Sequence, residues 1–237
     1  MRTFKVMVIA SILLLAAGNL FAQENDWNDI GLKQVISKDS LTKQGYTLVF
    51  YNKFSGLDSI VKQRMIDAFF TVYPKEAALY NKHTAKKVIF IMDPGYTGVA
   101  ATSGNIVRYN SAYFQKHPGD IDVVTHEVMH IVQSYTGNVG PGWLTEGIAD
   151  YVRYTLGIDN KGAGWSLTPF NSKQSYKDAY RITARFLVWI QKKYSKVLVK
   201  KLDAALRDKT YKLILWQSIT GKSLDELWKE YVKDPRI

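Results

Sequence analysis

Two histidines and a glutamate have a spacing that can hold a metal ion and activate water. The segment HEVMH, residues 126–130, places the two histidines four residues apart. In a helix, that spacing projects His126 and His130 from one face, where both rings can reach one Zn²⁺. Glu127 is rotated by about 100° from His126, so its carboxylate can approach a water without binding the metal. The segment therefore predicts hydrolytic chemistry with Glu127 as the general base.

A third ligand is needed, because a catalytic zinc takes three protein ligands and leaves one position for water. Glu146 follows His130 after fifteen intervening residues, in the segment WLTEGIADY, which predicts a second helix. The glycine- and proline-rich stretch 137–142 predicts a short turn between the two helices and makes them neighbours. The predicted ligand set is therefore the two histidines and Glu146.

Asp150 is a candidate for orienting one of the ligand histidines. It lies four residues after Glu146 and therefore on the same helical face. Metal-bound imidazoles usually donate their second N–H to an oxygen, which the Asp150 carboxylate could supply. The alternative interpretation is a surface carboxylate that lies near Arg153.

Hydrolysis of a carbonyl compound also needs a hydrogen-bond donor for the developing oxyanion. In the segment SYKDAYRITARF, Tyr180 is the first choice, and the alternatives are Tyr151, Tyr154 and Arg181. Arg181 and Arg185 are four residues apart and could hold carboxylates, but a structural ion pair explains that spacing equally well.

The first 22 residues have the pattern of a secretory signal peptide. MRTFK supplies a basic start, VMVIASILLLAAG is an uncharged apolar run, and Ala22 offers a cleavage site. The alternative is an uncleaved membrane anchor, for which the run is short compared with the ~20 apolar residues of a bilayer span. We expect an exported protein, periplasmic or secreted, with no stable membrane insertion after cleavage. The chain has no cysteine, so disulfides do not stabilise it.

The composition predicts a globular monomer and argues against nucleic-acid binding. The 237 residues are 46% hydrophobic and 22% charged, with a formal net charge of +11. Basic residues cluster at 82–87 and 192–201, but neither cluster has the interleaved aromatic residues of a nucleic-acid groove. The excess of positive charge predicts a lysine-rich surface or a preference for acidic partners.

The order of predicted elements, strands with one helix followed by helices alone, indicates an α+β fold. Residues 23–44 are polar and are interpreted as a lead-in segment. Strands are predicted at 45–52 and 86–95, a strand or hairpin at 98–110, and a helix at 57–82 that Pro74 bends or divides. Helices are predicted near 120–136, 143–156, 175–194, 196–207 and 211–233. A single domain spans 45–237, with a sheet-containing lobe at about 45–136 and a helical lobe at about 137–237.

Several motifs in the same order resemble the basic secretory protein family of plants and bacteria, a family of zinc peptidases. They are GVAATSGNIVRYNSAYF, GDIDVVTHEVMHIVQ, WLTEGIADYVRY, AYRITARFLVWI and TGKSLDELWKEY. The resemblance covers roughly residues 45–233. The Glu-x-x-x-Asp spacing of Glu146 and Asp150 is also similar to that of the wider gluzincin group.

The resemblance implies a zincin-like metalloprotease fold, in which a small N-terminal β-sheet and an active-site helix face a C-terminal helical lobe. It implies one zinc per chain on His126, His130 and Glu146, with Glu127 catalytic and a peptide or protein as substrate. An edge strand within 98–110 would bind substrate backbone. The expected function is an exported zinc-dependent peptidase. The alternatives are an amidase that acts on cell-wall peptide or glycoprotein, and a binding protein that keeps the fold without turnover.

Overall fold

A computed structural model describes residues 27–237. The predicted signal peptide, residues 1–22, lies outside this range. Within the described part of the chain, none of the helices is both long enough and apolar enough to cross a membrane. A short 3₁₀ helix at Leu32–Gln34 precedes the strands.

A five-stranded mixed sheet forms the first half of the fold. Its strands in chain order are β1 Ser37–Lys43, β2 Tyr46–Asn52, β3 Lys87–Asp93, β4 Ala100–Ser103 and β5 Ile106–Asn110. The spatial order is β1-β2-β3-β5-β4, so β1 and β4 are the edges. The pairs β2–β3 and β3–β5 are parallel, and the outer pairs are antiparallel. Strand β4 joins β5 through a tight turn at Gly104, which has the positive φ of 58° that favours glycine.

The interpretation of residues 23–44 as a lead-in segment is wrong for residues 37–43, which form the edge strand β1. This strand pairs antiparallel with β2 along its full length, from Ser37 opposite Asn52 to Lys43 opposite Tyr46. Its sequence, SKDSLTK, has no buried residue and carries two lysines. Charged, polar side chains are typical of an edge strand, because they oppose pairing with another chain.

Eight α-helices lie in the described residues. They are α1 Ser59–Leu79, α2 Ser111–Lys116, α3 Val123–Gln133, α4 Gly142–Leu156, α5 Tyr180–Lys193, α6 Leu198–Arg207, α7 Ile214–Thr220 and α8 Leu224–Lys233. A 3₁₀ helix, Tyr176–Asp178, precedes α5. The α+β class is therefore confirmed, with a mixed sheet followed by helices. Helix α2, which is only six residues long, was not predicted from the sequence.

Two predicted helices differ from the structure in where they are interrupted. Helix α1 continues without interruption through Pro74. The predicted helix at 211–233 is two helices, because Gly221 ends α7 with a φ of 79° and Ser223 begins α8 with a capping box. The left-handed conformation at Gly221 thus separates two amphipathic helices that have nearly continuous apolar spacing.

An aromatic cluster packs helix α1 against the sheet. The rings of Phe69 and Phe90 lie 5.5 Å apart, edge to face, and Phe90 contacts Tyr109 at 5.0 Å. All three side chains are buried. Such pairs contribute about 0.5–1.5 kcal/mol each beyond their buried area, so the sheet and α1 form one rigid support for the elements that follow.

Helices α4 and α5 cross closely at Gly147. A Cβ added to this glycine would lie 2.6 Å from the Cβ of Thr183 on α5, too close for any other residue to replace it without movement. Gly147 directly follows Glu146 in the sequence, so this crossing determines how the face that carries Glu146 lies against α5.

Glu76 is a fully buried carboxyl on α1 that sequence analysis did not identify. Neither of its carboxylate oxygens has a hydrogen-bond partner within residues 27–237. Burial raises the pKa of Glu76 well above its usual range, and the nearby positive charge of His126 opposes this effect only in part. Burial in the folded chain therefore favours the neutral, protonated form of Glu76.

A neutral buried Glu76 predicts a specific pH dependence of stability. Above the ordinary glutamate pKa, the unfolded chain loses this proton and the folded chain keeps it. Unfolding then becomes easier by about 1.4 kcal/mol per pH unit, until the pH passes the pKa of the folded state. We expect Glu76→Gln to be more stable than the wild type at pH 8, and to gain less at pH 5. Urea unfolding at both pH values, with chelator present, measures this difference.

Asp208 provides the matched control, because it is an exposed carboxyl on the same chain. Asp208→Asn should change stability by the same small amount at both pH values. An equal effect of Glu76→Gln at pH 5 and pH 8 would show that Glu76 has an ordinary pKa in the folded chain.

Candidate metal centre

Helices α3 and α4 bring His126, His130 and Glu146 together at the floor of a cleft. The Nε2 atoms of the two imidazoles are 3.2 Å apart. The Oε2 atom of Glu146 lies 3.3 Å from Nε2 of His126 and 3.5 Å from Nε2 of His130. Two nitrogens and one oxygen thus form a nearly equilateral triangle, with all three atoms directed at one another.

The dimensions of this triangle fit a zinc ion. Tetrahedral bonds of 2.0–2.1 Å place neighbouring ligand atoms roughly 3.3 to 3.4 Å apart. The three observed separations, 3.2, 3.3 and 3.5 Å, lie close to that value. The donor set of two imidazole nitrogens and one carboxylate oxygen also suits zinc. Among the described residues, His126, His130 and Glu146 are close enough together to hold one metal ion.

Asp150 is buried and contacts His126 directly. Its Oδ1 atom lies 2.7 Å from Nδ1 of His126, the nitrogen on the far side of the ring from the triangle. The alternative of a surface carboxylate near Arg153 is wrong, because Arg153 pairs with Asp120 instead. Burial lowers the pKa of His126, but the carboxylates of Asp150 and Glu146 outweigh burial and raise this pKa to about 10. A cation at this position would therefore have strong negative partners.

Gln133 orients the second histidine, a contact that sequence analysis did not predict. Its Oε1 atom lies 2.7 Å from Nδ1 of His130, and its Nε2 atom donates to the Thr145 carbonyl oxygen at 3.0 Å. Thr145 directly precedes Glu146 on α4. Gln133 therefore connects the two helices that carry the triangle and fixes the His130 ring. Its position three residues after His130 is the only sequence signal, and it is weak.

Thr102 holds the Glu127 side chain, and it too was not predicted. Its hydroxyl on strand β4 lies 2.7 Å from Oε2 of Glu127 and 3.0 Å from the Glu127 backbone oxygen. Glu127 itself is buried. Strand β4 thus positions the carboxylate of Glu127, the residue that directly follows His126 in the sequence.

Tyr180 lies across the cleft from α3, and its ring is parallel to that of His126. The ring centroids are 6.2 Å apart and the planes differ by 19°. Tyr180 is 54% exposed and has a φ of 47°, a left-handed conformation that is uncommon for residues other than glycine. The carboxylates of Glu146, Asp150 and Glu127, together with burial, raise the pKa of Tyr180, so its hydroxyl stays a donor at neutral pH.

The other candidates for the oxyanion donor divide into two groups. Arg181 lines the cleft, but Tyr151 and Tyr154 are not among the cleft-lining residues of the described chain. Sequence analysis missed Tyr96, which does line the cleft and whose pKa is raised by burial and by the Glu127 carboxylate.

Asp122 connects the start of α3 to the loop after α4. Its carboxylate accepts hydrogen bonds from the backbone N–H groups of Ile158 and Asp159 at 2.7 and 2.6 Å. It also accepts one from the Thr125 hydroxyl at 2.9 Å. Asp122 is fully buried, so these charge-assisted bonds hold the two helices that carry the triangle in a fixed arrangement.

The cleft above these residues has a volume of about 1450 Å³ and runs along α3. Strand β4 and the residues around it form one wall, and α4 and the start of α5 form the other. Strand β4 is an edge of the sheet, with β5 on one side. Its second side is therefore available for backbone hydrogen bonds to an extended chain.

Comparisons with known proteins establish the family. The profile of a family described as BSP, peptidase of plants and bacteria, matches residues 37–231. The chain therefore belongs to this family of peptidases, which confirms the resemblance of its motifs to the basic secretory proteins. Among curated proteins, no match is found.

Solved structures of M1 zinc metallopeptidases show a weak similarity. A two-domain mutant enzyme bound to L-tryptophan is 14% identical with a TM-score of 0.46, over 83% of this chain and 48% of that one. The enzyme from Deinococcus radiodurans is 13% identical with a TM-score of 0.44, over 84% and 47%. An aminopeptidase N family protein from Idiomarina loihiensis is 12% identical with a TM-score of 0.42, over 85% and 44%. The chain thus spans about half the length of these proteins.

Proposed function

We propose that this member of the peptidase family is an exported, zinc-dependent enzyme that hydrolyses peptide bonds. The observation that carries the proposal is the triangle formed by His126, His130 and Glu146, whose dimensions suit zinc, beside the Glu127 carboxylate. Export is inferred from the signal-peptide pattern of residues 1–22. Mass spectrometry of the exported protein tests the inference of export. We expect a chain that begins at Gln23.

The protein residues divide the work of hydrolysis. Zinc bound by the triangle would acidify a water molecule and polarise the scissile carbonyl. Glu127 takes a proton from the attacking water and passes it to the leaving amine nitrogen. Thr102 holds Oε2 of Glu127 and leaves Oε1 to exchange the proton. Asp150 and Gln133 keep the two imidazoles in a fixed orientation and tautomer.

The cleft walls bind and orient the substrate. The free side of β4 pairs with the backbone of an extended peptide, so that affinity depends little on side-chain sequence. The Tyr180 hydroxyl donates a hydrogen bond to the oxygen of the scissile carbonyl as its negative charge develops. This interaction is stronger in the transition state than in the bound substrate and therefore accelerates the reaction.

Cleavage profiling of a mixed peptide library, with and without a chelator, tests the proposed function. We expect the wild type to cleave library peptides, the chelator to abolish cleavage, and about one equivalent of zinc to restore it. Cleavage that the chelator leaves unchanged would contradict the metal mechanism. A zinc-loaded chain that cleaves no peptide would contradict the peptidase assignment.

A further inference from the structure

Within the described part of the chain, Arg181 is a cation on the cleft wall that has no ion-pair partner. The acidic, basic and histidine residues that line the cleft are Asp120, His126, Glu127, His130, Glu146, Asp150, Arg153 and Arg181. The arginine at position 153 forms an ion pair with Asp120. The guanidinium of Arg181 is exposed and, within residues 27–237, has neither an ion pair nor a side-chain hydrogen bond.

Arg181 lies in the first turn of α5, directly after Tyr180. It lines the same cleft as Asp120 and Val123, which stand just before and at the start of α3. The hydroxyl of Tyr113 donates to Asp120, and burial and Asp120 raise the pKa of Tyr113 to about 12, while the charges of Arg153 and Arg181 oppose this rise. Arg181 and the ion pair of Asp120 with Arg153 thus line the same cleft.

The carboxylates of Asp120 and Asp150, which line the same cleft, already have partners. Asp120 accepts hydrogen bonds from Tyr113 and Arg153, and Asp150 is bonded to His126. Arg153 is itself held in place, with its guanidinium 4.4 Å from the centre of the Trp165 ring. Among the cleft-lining residues that the structure describes, Arg181 is therefore the positive charge that remains available to a ligand.

We infer that Arg181 binds a carboxylate of the peptide substrate, either an aspartate or glutamate side chain or the free C-terminus. The inference rests on the proposed peptidase function, because it concerns the substrate of the same cleft. A guanidinium offers two parallel N–H donors that match a carboxylate. The chain carries a net charge of +11, which favours the approach of acidic peptides over longer distances.

Competition between matched peptides tests this inference. Peptides that contain glutamate or glutamine at each position around the scissile bond are cleaved in one mixture, and a second mixture compares free with amidated C-termini. We expect the wild type to prefer a carboxylate at one position by about five- to tenfold in kcat/KM. The mixture that shows the preference identifies the source of the carboxylate. The preference should fall as salt is added.

The variant Arg181→Gln should bring this ratio close to one. Lys201→Gln is the matched control, because Lys201 is exposed on α6, does not line the cleft, and loses the same charge. The control should keep the wild-type ratio. A wild type with no preference for a carboxylate, or an Arg181→Gln variant that keeps the preference, would overturn the inference.

A binding measurement separates this inference from the proposed function. If the wild type cleaves no peptide, the hydrolysis proposal fails. The affinities of the same peptide pairs are then measured for Glu127→Gln and for the double variant Glu127→Gln/Arg181→Gln. Tighter binding of the carboxylate peptide to Glu127→Gln, lost in the double variant, would still support the role of Arg181. Equal binding of both peptides would overturn it.

Discussion

The variant Glu127→Gln is expected to keep its zinc and to lose peptide hydrolysis by about 10²–10⁴-fold, the usual contribution of a general base. Glutamine has the shape of glutamate but cannot take a proton from water at neutral pH. Its side-chain oxygen can still accept the 2.7 Å hydrogen bond from Thr102, so the local structure should not change. Because Glu127 is not part of the ligand triangle, metal content should stay near one equivalent.

Two measurements on the same preparation are needed, kcat/KM on the best library peptide and zinc content by mass spectrometry. Thr102→Val serves as a graded comparison, since it keeps the Glu127 carboxylate but removes the hydroxyl that holds it. We expect this variant to lose less activity than Glu127→Gln. Undiminished cleavage by Glu127→Gln would exclude Glu127 as the base, and loss of zinc would show that the substitution disturbs the ligands instead.

The parts of the site that follow from local spacing were predictable from the sequence. The four-residue separation of His126 and His130 determines a shared helical face whatever the rest of the chain does. Glu146 and Asp150 are also four residues apart, so they too share one face of a helix. Convergence of the two helices required a further assumption about the turn at 137–142, and the structure brings Glu146 within 3.3–3.5 Å of both imidazoles.

The contacts that depend on chain topology could not be read from the sequence. Thr102 reaches Glu127 from strand β4, twenty-five residues away along the chain, because the sheet order places β4 at the edge beside α3. Nothing in the residue type distinguishes Thr102 from other threonines. Glu76 was missed for a similar reason, since a glutamate on an amphipathic helix is normally solvated and only the packing of α1 buries it.

Strand β1 shows the same limit for the fold. Its sequence lacks alternating apolar residues, which are the main signal for a half-buried strand. Its conformation depends instead on the backbone ladder with β2 from Ser37 to Lys43. Strand β2 was predictable, because five of its seven residues are buried and β-branched or aromatic residues dominate it.

Removal of a metal ligand should have the second large effect. We expect the wild type to carry about one zinc and His130→Ala to carry almost none, with cleavage lost in parallel. The substitution leaves two ligands where a catalytic zinc site has three. It also removes the hydrogen-bond partner of the Gln133 side chain, which lies 2.7 Å from His130. The Glu146 carboxylate then keeps only one of its two imidazole neighbours. Metal analysis after dialysis against a weak chelator measures the loss.

Asp150→Asn provides the graded comparison for the same measurement. Asp150 touches His126 through Nδ1, at 2.7 Å, and not through the nitrogen that faces the triangle, so its loss should weaken zinc binding by about 10–100-fold without abolishing it. The order of affinity, wild type above Asp150→Asn and Asp150→Asn above His130→Ala, follows from the geometry. Equal zinc content in His130→Ala and the wild type would mean that the ion binds elsewhere. The triangle of His126, His130 and Glu146 would then have a structural role, and the proposed mechanism would have no metal at the position where Glu127 could use it.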